Sequence, residues 1–196
     1  MLTRIMFALS LLTAAPLAAQ TAATPPAPAA DLVKVALDTS AGRIVLELDQ
    51  GRAPVTTKNF LRYVDAGRFN GEGFYRAMKY PSGGGLIQAG ITSDARKLYP
   101  PIEHEPVSKT GIKHVAGTVS MAAFSPGSAR ADFFILETAA PSFDASFAAF
   151  GKVVEGMDVV KTILASPTSP TKGEGVMKGQ MLDPVVKITK ASRLPN

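Results

Sequence analysis

Short apolar runs with a repeat of two recur from residue 32 onward, and that repeat leaves few folds open. In "VKVALDTS", Val33, Val35 and Leu37 alternate with Lys34, Ala36 and Asp38. After the turn-forming "AGR", Ile44, Leu46 and Leu48 of "IVLELD" resume the alternation. Successive strand side chains point to opposite faces, so the pattern predicts a hairpin with one face buried. Strand-like runs follow at "FYRAM", "LIQAG", "GTVSMA", "FFILE", "AAFGKVV" and "VVKITKA". Two segments carry a helical repeat instead. Pro54 suits a first helical turn, where its missing N–H loses nothing; Phe60, Leu61 and Val64 make one stripe; Gly67 ends it. Met157, Val160 and Leu164, after Gly156, make the second stripe, and "SPTSPTKGEGVMKGQ", residues 166–180, is expected to be a mobile loop. About eight strands and two separated helices close most readily into a mainly β, antiparallel barrel with the helices over its ends, because closure removes exposed edges.

At 196 residues and 46% hydrophobic, the chain suits one domain with a sizeable core. Residues 1–20 are different in kind. Arg4 supplies a positive start, Ile5 to Leu12 an apolar stretch and Ala14 to Ala19 small residues suited to cleavage, which together predict a signal peptide. The apolar stretch is shorter than the ~20 residues that span a bilayer. Residues 21–31 contain "TAATPPAPAA", an extended Ala/Pro tether, and the folded domain is expected over 32–196. A protein exported to a bacterial periplasm is the expectation, acting as a monomer with no stable membrane insertion after cleavage. The absence of cysteine excludes disulfides and thiol chemistry, so stability must come from packing.

Several chemistries can be set aside. The net charge is +5, but the basic residues are scattered without aromatic interleaving, which argues against nucleic acid. The glycines of "KYPSGGG" precede Leu86, Ile87 and Gln88, not the Lys-Ser/Thr and helix of a phosphate loop, and no Rossmann fingerprint is present. The chain has two histidines. A strand through "IEHEP" would send Glu103 and Glu105 away from His104, so no metal is expected there. His114 has no acidic residue close in sequence and no Gly-x-Ser-x-Gly elbow accompanies it, so both histidines are expected to be structural or solvated.

From about Val33 to Lys190 the chain resembles the cyclophilin-type peptidyl-prolyl isomerases. "DTSAGRIVLELDQGRAPVTTKNFLRYVDAG" resembles that family's opening hairpin and first helix, "GEGFYRAM" the strand with its catalytic arginine, and "HVAGTVSMA" the approach to its groove. "ADFFI" resembles its Gln-Phe-Phe core, and "FAAFGKVVEGMDVV" its later strand and second helix. The resemblance implies a closed eight-stranded antiparallel barrel capped by two helices, in accord with the independent count. It implies a peptidyl-prolyl cis-trans isomerase acting on proline-containing polypeptides, with no cofactor and no metal. Arg76 corresponds to the donor aimed at the prolyl nitrogen, and Gln88 to the glutamine that positions it. Phe134 corresponds to the phenylalanine lining the proline pocket, and Ala122, Leu86 and Phe143 to further groove positions.

Departures fall on the same groove. Arg76 and Gln88 stand twelve apart, with "KYPSGGG" as the apparent insertion, and Gly85 takes the place of an aromatic residue. Ala123 replaces an asparagine. Asp132 replaces the glutamine before Phe-Phe and could pair with Arg76. Ser142 stands for a tryptophan or phenylalanine, and Phe147 for a histidine. The alternative is therefore a cyclophilin-like peptide-binding module or chaperone with little turnover.

Overall fold

The computed structural model describes residues 31–195. The expected signal peptide and all but the last residue of the tether lie outside the described residues. The chain opens with the expected hairpin, β1 (Leu32–Thr39) and β2 (Gly42–Asp49), in register from Leu32 opposite Asp49 to Thr39 opposite Gly42. Helix α1 (Pro54–Asp65) follows, then β3 (Gly73–Lys79) and β4 (Gly85–Gly90). A single helical turn, α2 (Val107–Thr110), precedes β5 (Thr118–Met121) and β6 (Phe133–Leu136). Next come β7 (Ala148–Glu155), α3 (Met157–Ala165), the two-residue β8 (Thr168–Ser169) and β9 (Met181–Arg193).

The strands pair in the order β1-β2-β7-β5-β6-β4-β3-β9, and β9 returns to β1, closing an eight-stranded antiparallel barrel; β8 pairs with β9. Closure satisfies the edges that an open sheet would expose. The alternating residues of the first hairpin behave as expected: Val35, Leu37, Ile44, Leu46 and Leu48 are all fully buried. α1 drives Phe60 among Phe69, Phe133 and Phe150, with ring centroids 5.0–5.3 Å apart. α3 buries Val160, Ile163 and Leu164. Gly156 begins α3 at φ 87°, and a Cβ there would meet the Arg43 carbonyl oxygen, so glycine is required on both counts.

Two expectations are corrected. "IEHEP" is not a strand. Glu105 turns into the protein, 1% exposed, and accepts from the Val55 and Thr56 amides at 3.1 and 2.8 Å. α1 has no side-chain cap of its own at Ala53, so Glu105 caps it from fifty residues away. Residues 166–180, expected to be a loop throughout, contain β8 and a 3₁₀ turn at Gly175–Met177. That order brings Gln180 back to β3, where its carbonyl accepts from the Ala77 amide at 2.9 Å. The one-turn α2 has too few residues to show a period, and nothing in the sequence signals it.

Candidate active site

Alternation along the barrel strands divides the side chains between an inner and an outer cluster. On β4 and β6, Ile87, Phe133 and Ile135 face the barrel core. Leu86, Phe134 and Leu136 face outward, into a second apolar cluster with Ala140, Met78, Tyr80, Ala122, Phe143 and Phe147. Cross-strand register then sets a row on this outer face: Arg76 opposite Gln88, Gln88 opposite Phe134, and Phe134 opposite Ser120.

β3 contains an irregularity that matters here. Its register slips between Phe74 and Arg76 against both β4 and β9. Phe74 and Ala77 point inward, 0% and 2% exposed, while Tyr75 and Arg76 between them are both partly buried. A bulge of this kind supplies one extra residue and re-aims its neighbours, so two consecutive side chains share the groove.

The Arg76 guanidinium is held at three points. Nε donates to Gln180 Oε1 at 2.8 Å, Nη1 to Gln88 Oε1 at 2.9 Å, and Nη2 lies 3.2 Å from Met78 Sδ. A guanidinium has five N–H donors, so among the described residues these three contacts leave two unfilled. Burial lowers the Arg76 pKa from its ordinary value, with Tyr75 and Tyr80 opposing, but a guanidinium starting so high keeps its proton. The site therefore offers a fixed cation with free donors one strand from an apolar surface.

Phe134 is the centre of that surface, with Phe147 and Phe143 edge-on to it at 5.3 and 5.7 Å. Behind it lies His114, 1% exposed and stacked on the Phe134 ring at 6.1 Å. His114 is structural, as expected, yet it has an acidic partner from thirty residues away. Its Nδ1 is 2.8 Å from Asp144 Oδ1 and its Nε2 is 2.9 Å from Ser120 Oγ. Burial lowers the His114 pKa and Asp144 partly offsets this. The order Ser-His-Asp matches a hydrolytic triad, but Ser120 is 0% exposed and no substrate carbonyl can reach it.

The departures from the family pattern resolve in different ways. The insertion is not slack: Lys79 pairs with Gly85, the Tyr80 amide donates to the Gly84 carbonyl, and the Gly83 amide to that of Tyr80. This tight reversal returns the Tyr80 ring to the Phe134 cluster, supplying an aromatic where Gly85 has none. Gly85 has no space for one, since a Cβ would overlap the Met78 carbonyl oxygen. Among the described residues the Tyr80 hydroxyl is enclosed there without a hydrogen-bond partner. Asp132 does not pair with Arg76. It accepts instead from the Tyr75 hydroxyl at 2.8 Å, because the bulge sets Tyr75 between them. Ser142 is exposed and forms no wall, whereas Phe143 and Phe147 both do. Ala122 joins the outer cluster, while Ala123 packs on the inner one.

Sequence reasoning passed over Tyr75, Tyr80 and Gln180. Tyr80 had a signal, as an aromatic at the start of the insertion. Gln180 had none, since 104 residues separate it from Arg76.

A closed eight-stranded antiparallel barrel with a tethered arginine beside an outward aromatic cluster is cyclophilin-like in architecture. Comparison with known proteins agrees. The profile of the cyclophilin type peptidyl-prolyl cis-trans isomerase family matches residues 33–193. Peptidyl-prolyl cis-trans isomerase A of Dickeya dadantii is 37% identical over 152 residues, covering 73% of this chain and 77% of that protein. Peptidyl-prolyl cis-trans isomerase B of Escherichia coli is 35% identical over 139 residues, covering 66% and 82%. A cyclophilin-type isomerase of Cryptosporidium parvum shares the fold, with TM-score 0.69 and 21% identity over 84% of this chain and 99% of that one. The chain belongs to the cyclophilin-type peptidyl-prolyl cis-trans isomerase family.

Proposed function

We propose that this isomerase acts on proline bonds of exported polypeptides as they fold outside the cytoplasm, with Arg76 as the donor to the prolyl nitrogen. Rotation about X–Pro is slow because amide resonance imposes a barrier of ~18–20 kcal/mol. No bond is made or cut, so neither nucleophile nor redox partner is needed. As the nitrogen leaves conjugation its lone pair becomes a better acceptor, and a donor placed there binds the transition state more tightly than either ground state.

The observation that carries the proposal is the anchored Arg76, with two N–H groups unfilled among the described residues, beside the Phe134 cluster. Phe134, Leu86, Phe143 and Ala122, with Tyr80 and Phe147, would hold the proline ring; Gln88 would orient Arg76 and meet the substrate backbone. A cyclophilin of the same fold has been crystallised in the presence of the dipeptide Ala-Pro, which supports a proline-containing ligand for this groove. Export rests on the leader-like residues 1–20.

The test is exchange between proline isomers of a peptide, measured for wild type and Arg76→Ala alongside peptide binding. Wild type should accelerate exchange, and the variant should lose at least tenfold in kcat/KM while melting within a few degrees. Binding without acceleration by wild type would instead establish the peptide-binding module. Mass spectrometry of the mature N-terminus from fractionated cells tests export; an intact Met1 start in the cytoplasm would refute it.

A further inference from the structure

We propose that Tyr75 and Asp132 are positioning residues, which fix the orientation of the Gln88 side-chain amide and thereby the aim of Arg76. The proposal rests on Arg76 being the donor described above, but it concerns how this chain holds that donor. The hydrogen bonds form one line across the groove: Arg76 Nη1 to Gln88 Oε1 at 2.9 Å, Gln88 Nε2 to the Tyr75 oxygen at 2.5 Å, and the Tyr75 hydroxyl to Asp132 Oδ1 at 2.8 Å.

The sense of this line is set from both ends. A guanidinium has donors only, so Gln88 must turn its oxygen toward Arg76. That leaves the Gln88 NH₂ facing Tyr75, which can accept only if its own proton is given elsewhere. An ionised carboxylate has acceptors only, and Asp132 accepts the hydrogen bond from the Tyr75 hydroxyl. With Asp132→Asn only the Arg76 end would still set the sense, because an asparagine amide can donate to Tyr75 as well as accept from it, and Tyr75→Phe would cut the line. A swapped Gln88 amide would point its NH₂ at the guanidinium, and Arg76 would keep only its Gln180 and Met78 contacts.

Packing supports a dedicated arrangement. Gly90 on β4 leaves the room Asp132 occupies, since a Cβ there would overlap Asp132 Oδ1. The bulge in β3 places Tyr75 within reach of both Gln88 and Asp132. Burial raises the Asp132 pKa and the Tyr75 hydroxyl opposes this, while burial and the Asp132 charge hold the Tyr75 phenol un-ionised. Among the described residues the titratable group facing Asp132 is Tyr75 on β3, with Arg76 beyond Gln88; β4 contributes Gly90 and no charge. Protonated Asp132 could donate to Tyr75, which permits the reversed sense.

The test compares wild type, Tyr75→Phe, Asp132→Asn and the double variant, with Arg76→Ala as reference. Side-chain NMR of the ligand-free protein reads the Gln88 amide and Arg76 Nε–H signals. Isomer-exchange kinetics read kcat and KM. Both single variants should shift the Gln88 amide and broaden or move the Arg76 signal. Each should lower kcat about three- to tenfold with KM nearly unchanged, and the double variant should be no worse than the poorer single one. In wild type, the Gln88 amide should move with the Asp132 titration, and this response should vanish in Tyr75→Phe. Unchanged Gln88 and Arg76 signals in both variants would overturn the proposal. So would additive losses in kcat. If Tyr75→Phe folds poorly, Asp132→Asn, which conserves volume, decides alone. Wild-type activity in Arg76→Ala would refute the donor role of Arg76 instead, and the ligand-free NMR would still decide the orientation of Gln88.

Discussion

Replacing Glu105 by alanine should destabilise the barrel without changing its chemistry, and the size of the effect follows from the start of α1. The first four N–H groups of a helix have no partner within it. In α1 the Ala53 amide donates to the Asp49 carbonyl, Pro54 has no N–H, and the Val55 and Thr56 amides both donate to Glu105. Glu105 and Thr56 are 1% and 0% exposed, so water is poorly placed to substitute. Loss of a cap costs about 0.5–2 kcal/mol. A carboxylate at a partly buried helix N-terminus adds up to ~2 kcal/mol through the dipole. Glu105→Ala should therefore cost about 3 kcal/mol. In a domain of this size each kcal/mol is roughly 2–4 °C, so the melting temperature should fall by about 6–12 °C. Glu105→Gln keeps one acceptor and should cost about half as much. Urea unfolding at neutral pH measures both, while kcat/KM of the folded fraction should stay at the wild-type value. A loss below about 0.5 kcal/mol for Glu105→Ala would show that α1 does not depend on this cap.

Other outcomes follow from the site. Tyr80→Phe keeps the ring in the Phe134 cluster and removes an enclosed hydroxyl that has no partner among the described residues. Stability should therefore be unchanged or higher by up to about 1 kcal/mol, with kcat/KM preserved; a melting temperature several degrees lower would refute that placement of the hydroxyl. His114 gives the barrel a pH dependence. Its folded-state pKa lies below the ordinary 6.5 because of burial. As pH falls, the unfolded chain takes up this proton first, so stability is retained above about 6.5 and lost toward the folded-state value, at up to ~1.4 kcal/mol per pH unit. His114→Gln should flatten the slope between pH 7 and 5, and an unchanged slope would contradict neutral burial of His114.

Much of the architecture was legible because its signals are local. The alternation in "VKVALDTS" and "IVLELD" reports a buried face whatever the rest of the chain does, and every alternating residue from Val35 to Leu48 that it marked lies in the core. Pro54, Gly67 and Gly156 punctuate α1 and α3 for reasons confined to a single turn. The same strand repeat assigned Arg76 and Gln88 to adjoining strands, and the β3–β4 register makes them direct cross-strand partners.

What anchors and surrounds that pair depends on closure of the barrel. Gln180 reaches Arg76 because β9 seals the ring beside β3. Tyr75 turns to Asp132 because β3 carries a bulge, whereas strict alternation from Phe74 would put Arg76 on the inner face. Tyr80 refills the gap at Gly85 through a reversal of the chain, and Asp144 reaches His114 across thirty residues. Composition and periodicity suffice for which residues are buried and which strands form, since burial of a face is a property of each segment. The hydrogen bonds that aim one guanidinium join segments distant in sequence, and they exist only once the ring has closed and brought those segments together.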